Sequence, residues 1–150
     1  MKGGPTKMSV IAKRRIISES GLEWQPTEEQ EQAAVIEWKK IMMGRFPELR
    51  WLYHVPNGGE RHPAVAAKMK AQGVEPGVPD LDLPVARCGY HGLRIEMKRQ
   101  KGGRLSDDQK EWLDGLNANG YLALVAHGAE EACEILYKYL TEAYHGEAHP

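Results

Sequence analysis

One stretch of the sequence, GLRIEMKRQKG at residues 92–102, constrains the fold most because it alternates apolar and charged side chains. Side chains two residues apart in a β-strand point to the same face of a sheet. Ile95 and Met97 would therefore lie in a hydrophobic core, while Glu96 and Lys98 would lie together on the other face. A solvated strand with a surface salt bridge has this pattern, and so does a catalytic site.

The composition is typical of a globular protein, and it argues against a membrane-spanning protein and against a polycation that coats nucleic acid. The chain has 150 residues, of which 41% are hydrophobic and 27% are charged, and this suits one domain with a single core. A net charge of -1 argues against indiscriminate binding to nucleic acid, so any such binding needs a local basic patch. The sequence has no apolar run of the ~20 residues that a membrane span requires and no signal peptide. We therefore expect a cytoplasmic protein with no membrane partner.

Capping residues, glycines and prolines divide the chain into helices and strands, whose order indicates an α/β fold with a mixed β-sheet flanked by helices. Helices are predicted at residues 28–43, 64–72, 107–119 and 129–145. Strands are predicted at residues 50–55, 80–86, 93–99 and 121–126, and the second and third should form a hairpin. Residues 1–25 are predicted to be a flexible N-terminal arm, and residues 26–145 the folded domain.

The predicted hairpin would bring a second carboxylate to the charged face of the strand. Asp80 lies at the start of one strand of the hairpin and can approach Glu96 on the other. Two converging carboxylates make an oxygen-rich site of the kind that Mg²⁺ or Mn²⁺ prefers, and the backbone carbonyl of Met97 could supply another ligand. Lys98 beside such a metal could position an attacking water and stabilise charge on a phosphate.

These residues resemble the Pro-Asp…Glu-x-Lys signature of the PD-(D/E)XK nucleases and, more narrowly, the stand-alone, phage-type members of the VRR-NUC family. Five elements carry the resemblance in the right order: a leading helix with Glu28 and Gln32, PNGG at residues 56–59, GVPDL at 77–81, EMK at 96–98 and LSDDQ at 105–109. The resemblance implies a restriction-endonuclease-like core with a central mixed β-sheet flanked by helices, which would make residues 26–145 a VRR-NUC nuclease domain. It also implies a metal-dependent DNA endonuclease in the cytoplasm of a bacterial host. Stand-alone relatives resemble Holliday-junction resolvases that act on branched DNA as homodimers.

The resemblance also assigns roles to individual residues. Asp80, Glu96 and the Met97 carbonyl would ligate Mg²⁺ or Mn²⁺, and Lys98 would position the nucleophilic water. Glu28 would add a carboxylate from the first helix, although the helix register leaves Glu31 open as the alternative.

Gln109 has two possible roles. By the resemblance it would reach the active centre from its helix. It is also the third residue of a capping box headed by Ser106, and the two roles could compete for the same amide.

Two short segments are candidates for contact with DNA. The loop that follows the first predicted strand could contact a phosphate or could be only a tight turn. The basic stretch after Lys98 borders the proposed site and could follow a DNA backbone, although charge runs are usually solvated. The predicted nucleic-acid-binding residues are Asn57, Arg61, Arg99, Lys101 and Arg104.

The alternative function is a non-catalytic nucleic-acid-binding or protein-interaction module that retains the nuclease fold. Such a module would be expected to lack one of the carboxylates or the lysine. Asp80, Glu96 and Lys98 are all present, which favours the enzyme.

Overall fold

The computed structural model describes residues 24–57 and 61–144, so residues 1–23 of the predicted N-terminal arm lie outside the described part. Four strands form one sheet in the order β1 (Tyr53–His54), β2 (Leu81–Leu83), β3 (Leu93–Lys98) and β4 (Leu122–His127). The pairs β1–β2 and β2–β3 are antiparallel and β3–β4 is parallel, which confirms the predicted hairpin and mixed sheet. The helices are α1 (Glu28–Met42), a 3-10 helix (Pro47–Trp51), α2 (Pro63–Ala71), α3 (Asp107–Ala118) and α4 (Ala129–Leu140).

One face of the sheet carries the hydrophobic core, as the alternation in the sequence predicted. Ile95 and Met97 on β3 are 1% and 2% exposed, and they join Leu81 and Leu83 of β2 in the same buried cluster. Helices α1 and α4 pack against each other and against this face, and contribute Val35, Trp38, Ala132, Cys133, Leu136 and Tyr139 to the cluster. This apolar face fixes which side chains of β2 and β3 must point the other way.

The opposite face is polar, and α3 covers part of it. The β2–β3 register places Asp82 opposite Arg94, and Glu96 and Lys98 follow on β3 at intervals of two residues. At the outer edge of β4, the side-chain amide of Asn117 donates to the Ala123 carbonyl and accepts from the Ala123 N–H. Further along the same edge, the His127 N–H donates to the Glu131 carboxylate.

Reciprocal capping boxes begin α1 and α3. The Thr27 hydroxyl accepts from the Gln30 N–H while the Gln30 side chain accepts from the Thr27 N–H. Ser106 and Gln109 make the same pair of bonds at α3. Each box satisfies backbone donors that the first turn of a helix leaves unpaired, so both helices start where the sequence predicted.

Three predicted elements differ from the structure. The predicted strand at residues 50–55 is reduced to β1, because Pro47 begins a 3-10 helix that runs to Trp51. Strand β2 ends at Leu83 rather than at residue 86, since Pro84 has no N–H for the ladder. Helix α4 ends at Leu140 rather than at residue 145, because Glu142 adopts a left-handed conformation with φ of 57°.

Among the described residues, no helix is both long enough and apolar enough to cross a membrane.

Candidate active site

The carboxylate of Asp80 reaches β3 at the point where β2 begins. The pairing of Leu81 with Ile95 places Asp80 opposite Glu96, and Asp80 Oδ2 accepts a hydrogen bond of 2.8 Å from the Met97 N–H. Because the N–H and C=O of one strand residue point to the same side, the Met97 carbonyl also faces the β2 side of β3. The structure therefore brings together the three groups that were predicted from the sequence as metal ligands: the carboxylates of Asp80 and Glu96 and the carbonyl of Met97.

A glycine allows the turn before Asp80 to pack against α3. Gly77 has φ of 86°, and a Cβ atom there would lie 2.5 Å from the backbone carbonyl carbon of Asp108. No side chain fits in that space, and the left-handed conformation also favours glycine. The close contact joins the GVPD turn to the first turn of α3, so Asp80 and the residues of α3 are positioned together.

Glu96 and Lys98 are buried side by side, with relative exposures of 2% and 6%. Lys98 Nζ lies 3.1 Å from Glu96 Oε1 and 3.7 Å from Glu28 Oε1. The stem of Lys98 packs against Gly103, where a Cβ atom would come within 2.9 Å of the lysine Cβ. The Gly-Gly loop after β3 therefore holds the lysine in place, a role that its sequence did not indicate.

Gln109 performs both of the tasks that seemed to compete for its amide. Its Oε1 accepts the Ser106 N–H at 2.9 Å in the capping box, while its Nε2 donates to Glu96 Oε1 at 2.6 Å. The two ends of one side-chain amide serve the two partners. Helix α3 thereby fixes the orientation of the Glu96 carboxylate.

The two glutamates that the helix register left open lie in different places. Glu31 is 4% exposed, and its two oxygens accept from Gln100 Nε2 at 2.9 Å and from the Ala129 N–H at 2.7 Å. It therefore joins α1 to the end of β3 and to the first turn of α4. Glu28, whose side chain is 42% exposed, lies beside Lys98. Of the two, Glu28 is the one that adds its charge to the cluster around Lys98.

The cluster contains more negative than positive charge. Burial is the main cause that raises the pKa of Glu96 to about 7, and the nearby charges of Asp80 and Glu28 raise it further, while Lys98 opposes them. Three carboxylates face one ammonium group. A cation bound among these carboxylates would stabilise the ionised form of Glu96, because it would offset their mutual repulsion.

The donor set fits a hard divalent cation. Within residues 24–57 and 61–144, no three His, Cys, Asp or Glu side chains form a complete metal cluster. The site instead offers the carboxylates of Asp80 and Glu96 and the Met97 carbonyl. Mg²⁺ commonly binds to proteins through one or two carboxylates and retains several waters, and these oxygens are ligands of that kind.

The comparisons with known proteins agree with this geometry. The model of the VRR-NUC domain matches residues 23–130. The chain belongs to the VRR-NUC family. A solved structure described as a VRR_NUC domain protein is 33% identical, with a TM-score of 0.66, and the match covers 79% of this chain and 91% of that chain. No match is found among the curated proteins. The predicted family and fold class are confirmed, and the family is one of nuclease domains.

The predicted nucleic-acid-binding residues of this VRR-NUC chain lie in two separate loops. Before α2, the Asn57 N–H donates to the Val55 carbonyl, and the Arg61 guanidinium donates to the Pro56 carbonyl and the Met69 sulfur. The other three residues are exposed on and after the end of β3: Arg99, Lys101 and Arg104.

A polar row formed by Tyr53, Asp82 and Arg94 lies beside the site, and the sequence did not predict it as a group. Asp82 is 2% exposed; its Oδ2 accepts from the Tyr53 hydroxyl at 2.5 Å and lies 2.8 Å from Arg94 Nη1. Arg94 also lies over the Tyr121 ring, 5.3 Å from its centroid. Arg94 precedes Glu96 by two residues, so the alternation that identified Glu96 and Lys98 could also have identified it.

Proposed function

We propose that this VRR-NUC chain is a divalent-metal-dependent endonuclease that hydrolyses phosphodiester bonds in DNA. The observation that supports the proposal is that Asp80 meets the buried pair of Glu96 and Lys98 in one cluster with an excess of carboxylates. Asp80, Glu96 and the Met97 carbonyl would hold Mg²⁺ or Mn²⁺, with Glu28 close enough to Lys98 to add its charge. A divalent cation in such a site supplies two effects: it makes a bound water more acidic, and it neutralises charge on the phosphate.

The side chains of the cluster have separate tasks in this proposal. The Lys98 ammonium would orient the attacking water and stabilise the charge that develops on the phosphate. The Gln109 amide holds Glu96 Oε1 at 2.6 Å and so keeps the carboxylate from rotating. Glu28, which is partly exposed, would approach the cation directly or through a water.

We further propose that the basic residues outside the cluster bind the DNA backbone. This proposal is supported by the exposure of Arg99, Lys101 and Arg104 and by their position shortly after Lys98 in the chain. Asn57 and Arg61 would contact a phosphate from the loop before α2. Binding through phosphates should weaken as salt concentration rises, because each contact releases counterions from DNA.

By resemblance to stand-alone relatives, we propose that branched DNA is the preferred substrate and that the chain acts as a homodimer. One active site cuts one strand, so symmetrical cleavage of a four-way junction requires two sites related by a twofold axis. With DNA as its substrate, we expect the protein to act in the cytoplasm of a bacterial host.

The test is a cleavage assay on four-way junction, flap, linear duplex and single-stranded DNA, each with Mg²⁺, Mn²⁺ or EDTA. Lys98→Ala should lower the cleavage rate by at least ~100-fold, since it removes a group that stabilises the transition state. Lys110→Ala is the matched control, because Lys110 is exposed on α3 and pairs only weakly with Asp107 at 3.4 Å. Equal activity in Lys98→Ala and the wild type, or no cleavage of any substrate with either metal, would contradict the proposal.

A further inference from the structure

Tyr53 lies on the same face of the sheet as the candidate active site. The register pairs Tyr53 with Asp82 and Asp82 with Arg94, and side chains at paired positions share a face. Asp82 follows Asp80 by two residues, so it lies on this face as well. From the spacing of residues and strands, the Cα atoms of Tyr53 and Asp80 are roughly 8 Å apart. An aromatic side chain on β1 is therefore a close neighbour of the proposed metal ligands.

The hydroxyl of Tyr53 is held by a hydrogen bond, while about half of the residue is exposed to solvent. Its hydroxyl donates to Asp82 Oδ2 at 2.5 Å, yet the residue is 49% exposed. The bond to Asp82 also raises the pKa of the Tyr53 hydroxyl, so the hydroxyl remains a donor at neutral pH. The ring is thus fixed in orientation while much of its apolar surface remains uncovered.

Arg94 compensates the negative charge of Asp82, which would otherwise repel a nucleic acid at this position. A bare Asp82 carboxylate would repel a phosphate, but Arg94 Nη1 lies 2.8 Å from the oxygen that also accepts from Tyr53. The pair is neutral overall, and the stacking of Arg94 on Tyr121 holds the guanidinium in place.

The row of Tyr53, Asp82 and Arg94 is energetically unfavourable if its role is only structural. Asp82 Oδ1 and Arg94 Nε are buried and make no hydrogen bond to any residue that the structure describes. Apolar residues of similar size often stabilise a fold as well as a buried ion pair does. Holding the exposed Tyr53 ring beside the active site gives the row a function that apolar residues could not provide.

We propose that Tyr53 stacks on an unpaired nucleobase next to the bond that is cut. Bases within an intact duplex have both faces covered by their neighbours, whereas a base at a gap, flap or junction has a free face. Base–aromatic stacking tolerates any sequence and contributes substantially to affinity for each base that stacks. Tyr53 would thus give the enzyme a preference for DNA with unpaired bases. This inference rests on the proposed nuclease function and names the substrate feature that the site reads.

The test measures binding in EDTA, where no metal-dependent cleavage can occur. Two labelled DNAs of equal length are used, an intact duplex and one with a single unpaired 2-aminopurine, and binding is followed by fluorescence anisotropy. Tyr53→Ala should weaken binding to the unpaired DNA by ~5- to 100-fold and binding to the duplex by less than about twofold. Tyr53→Phe keeps the ring but loses the bond to Asp82, so it should weaken binding to the unpaired DNA clearly less than Tyr53→Ala does.

Quenching of 2-aminopurine gives a readout that a change in protein stability alone would not alter. The wild type and Tyr53→Phe should quench its fluorescence on binding, and Tyr53→Ala should not. Tyr137→Ala is the control, because Tyr137 lies on α4 and packs edge-on against Phe46. If Tyr53→Ala is poorly folded, Tyr53→Leu fills the same space without an aromatic ring and should give the same loss of quenching.

The possible outcomes separate this inference from the proposed function. Equal losses of affinity for the two DNAs, or quenching that persists in Tyr53→Ala and Tyr53→Leu, would overturn the role of Tyr53, as would failure of the wild type to bind the unpaired DNA. If the wild type cleaves DNA in Mg²⁺ but Tyr53 variants bind normally, only the inference fails. If Tyr53 variants lose selective binding but the wild type cleaves nothing, only the proposed function fails.

Discussion

Asp80, immediately before β2, and Asp82, on β2, share one face of the sheet but lie in opposite electrostatic environments. Asp82 meets Arg94 on β3 and accepts from Tyr53, so its charge is compensated within the chain. Asp80 stands opposite another acid, Glu96, and its carboxylate receives only the backbone N–H of Met97 from β3. The two residues are separated by a single buried leucine and by one strand pleat.

The two aspartates therefore differ in whether the rest of the chain compensates their charge. Around Asp82 the charges cancel, whereas around Asp80 three carboxylates face the single ammonium of Lys98. Burial and repulsion raise the pKa of Glu96 to about 7 even with Lys98 beside it. Natural proteins retain such unfavourable clusters mainly at functional sites.

The same substitution at the two aspartates should have different effects on activity and stability. Asp80→Asn should lower the rate of DNA cleavage by at least ~100-fold while leaving thermal stability nearly unchanged, because it removes a proposed metal ligand and reduces repulsion. Asp82→Asn should change the rate by less than about tenfold and should lower the melting temperature instead, because Arg94 loses its partner. Cleavage rates and calorimetric melting curves of the two variants decide the matter, and similar losses of activity in both would make the distinction wrong.

Removing Arg94 should have the largest effect on stability. Arg94→Met leaves the Asp82 carboxylate buried, at 3% side-chain exposure, without its counter-charge. We expect a loss of about 3 kcal/mol in the free energy of unfolding, measured by urea denaturation. The double variant Arg94→Met/Asp82→Asn should recover part of that loss, since it removes the unpaired charge. A single variant as stable as the wild type would show that the pair contributes nothing.

The carboxylates around Asp80 should make the stability of the protein depend on pH and on Mg²⁺. Folding raises the pKa of Glu96 from 4.5 to about 7, so the folded state binds the proton more tightly than the unfolded state does. In EDTA, this residue should therefore lower stability as pH rises from about 4.5 to about 7, by roughly 3 kcal/mol at most. Addition of about 10 mM Mg²⁺ should raise the melting temperature at about pH 8 but not at about pH 5.

Glu96→Gln provides the control for this titration. It has no charge to desolvate, so both the pH dependence and the Mg²⁺ effect should be much smaller than in the wild type. Identical melting curves for the wild type and Glu96→Gln across the pH range would contradict the assigned pKa shift.

Much of the site could be predicted because local rules fix it. Alternation along β3 decides which side chains share a face, and a hairpin brings Asp80 to Glu96 without knowledge of the remaining fold. The cap at Ser106 likewise fixed the start of α3 and hence the position of Gln109.

The rest depends on contacts between elements that are distant in the sequence. Glu28 and Glu31 differ by less than one helical turn, and only the packing of α1 against α4 shows which of them approaches Lys98. The pairing of Tyr53 with Asp82 joins residues separated by 29 positions, across a loop whose course no local pattern determines. The short strand β1 was obscured because Pro47 starts a 3-10 helix in what looked like a longer strand.

The amide of Asn117 has a further consequence for how two copies of the chain could meet. It occupies both the N–H and the C=O of Ala123, while Glu131 occupies the N–H of His127. These groups point away from β3, and an added strand would need them for its own ladder. Strand β4 is therefore blocked against extension of the sheet into a neighbouring molecule. The proposed homodimer would then join through a surface other than the β4 edge.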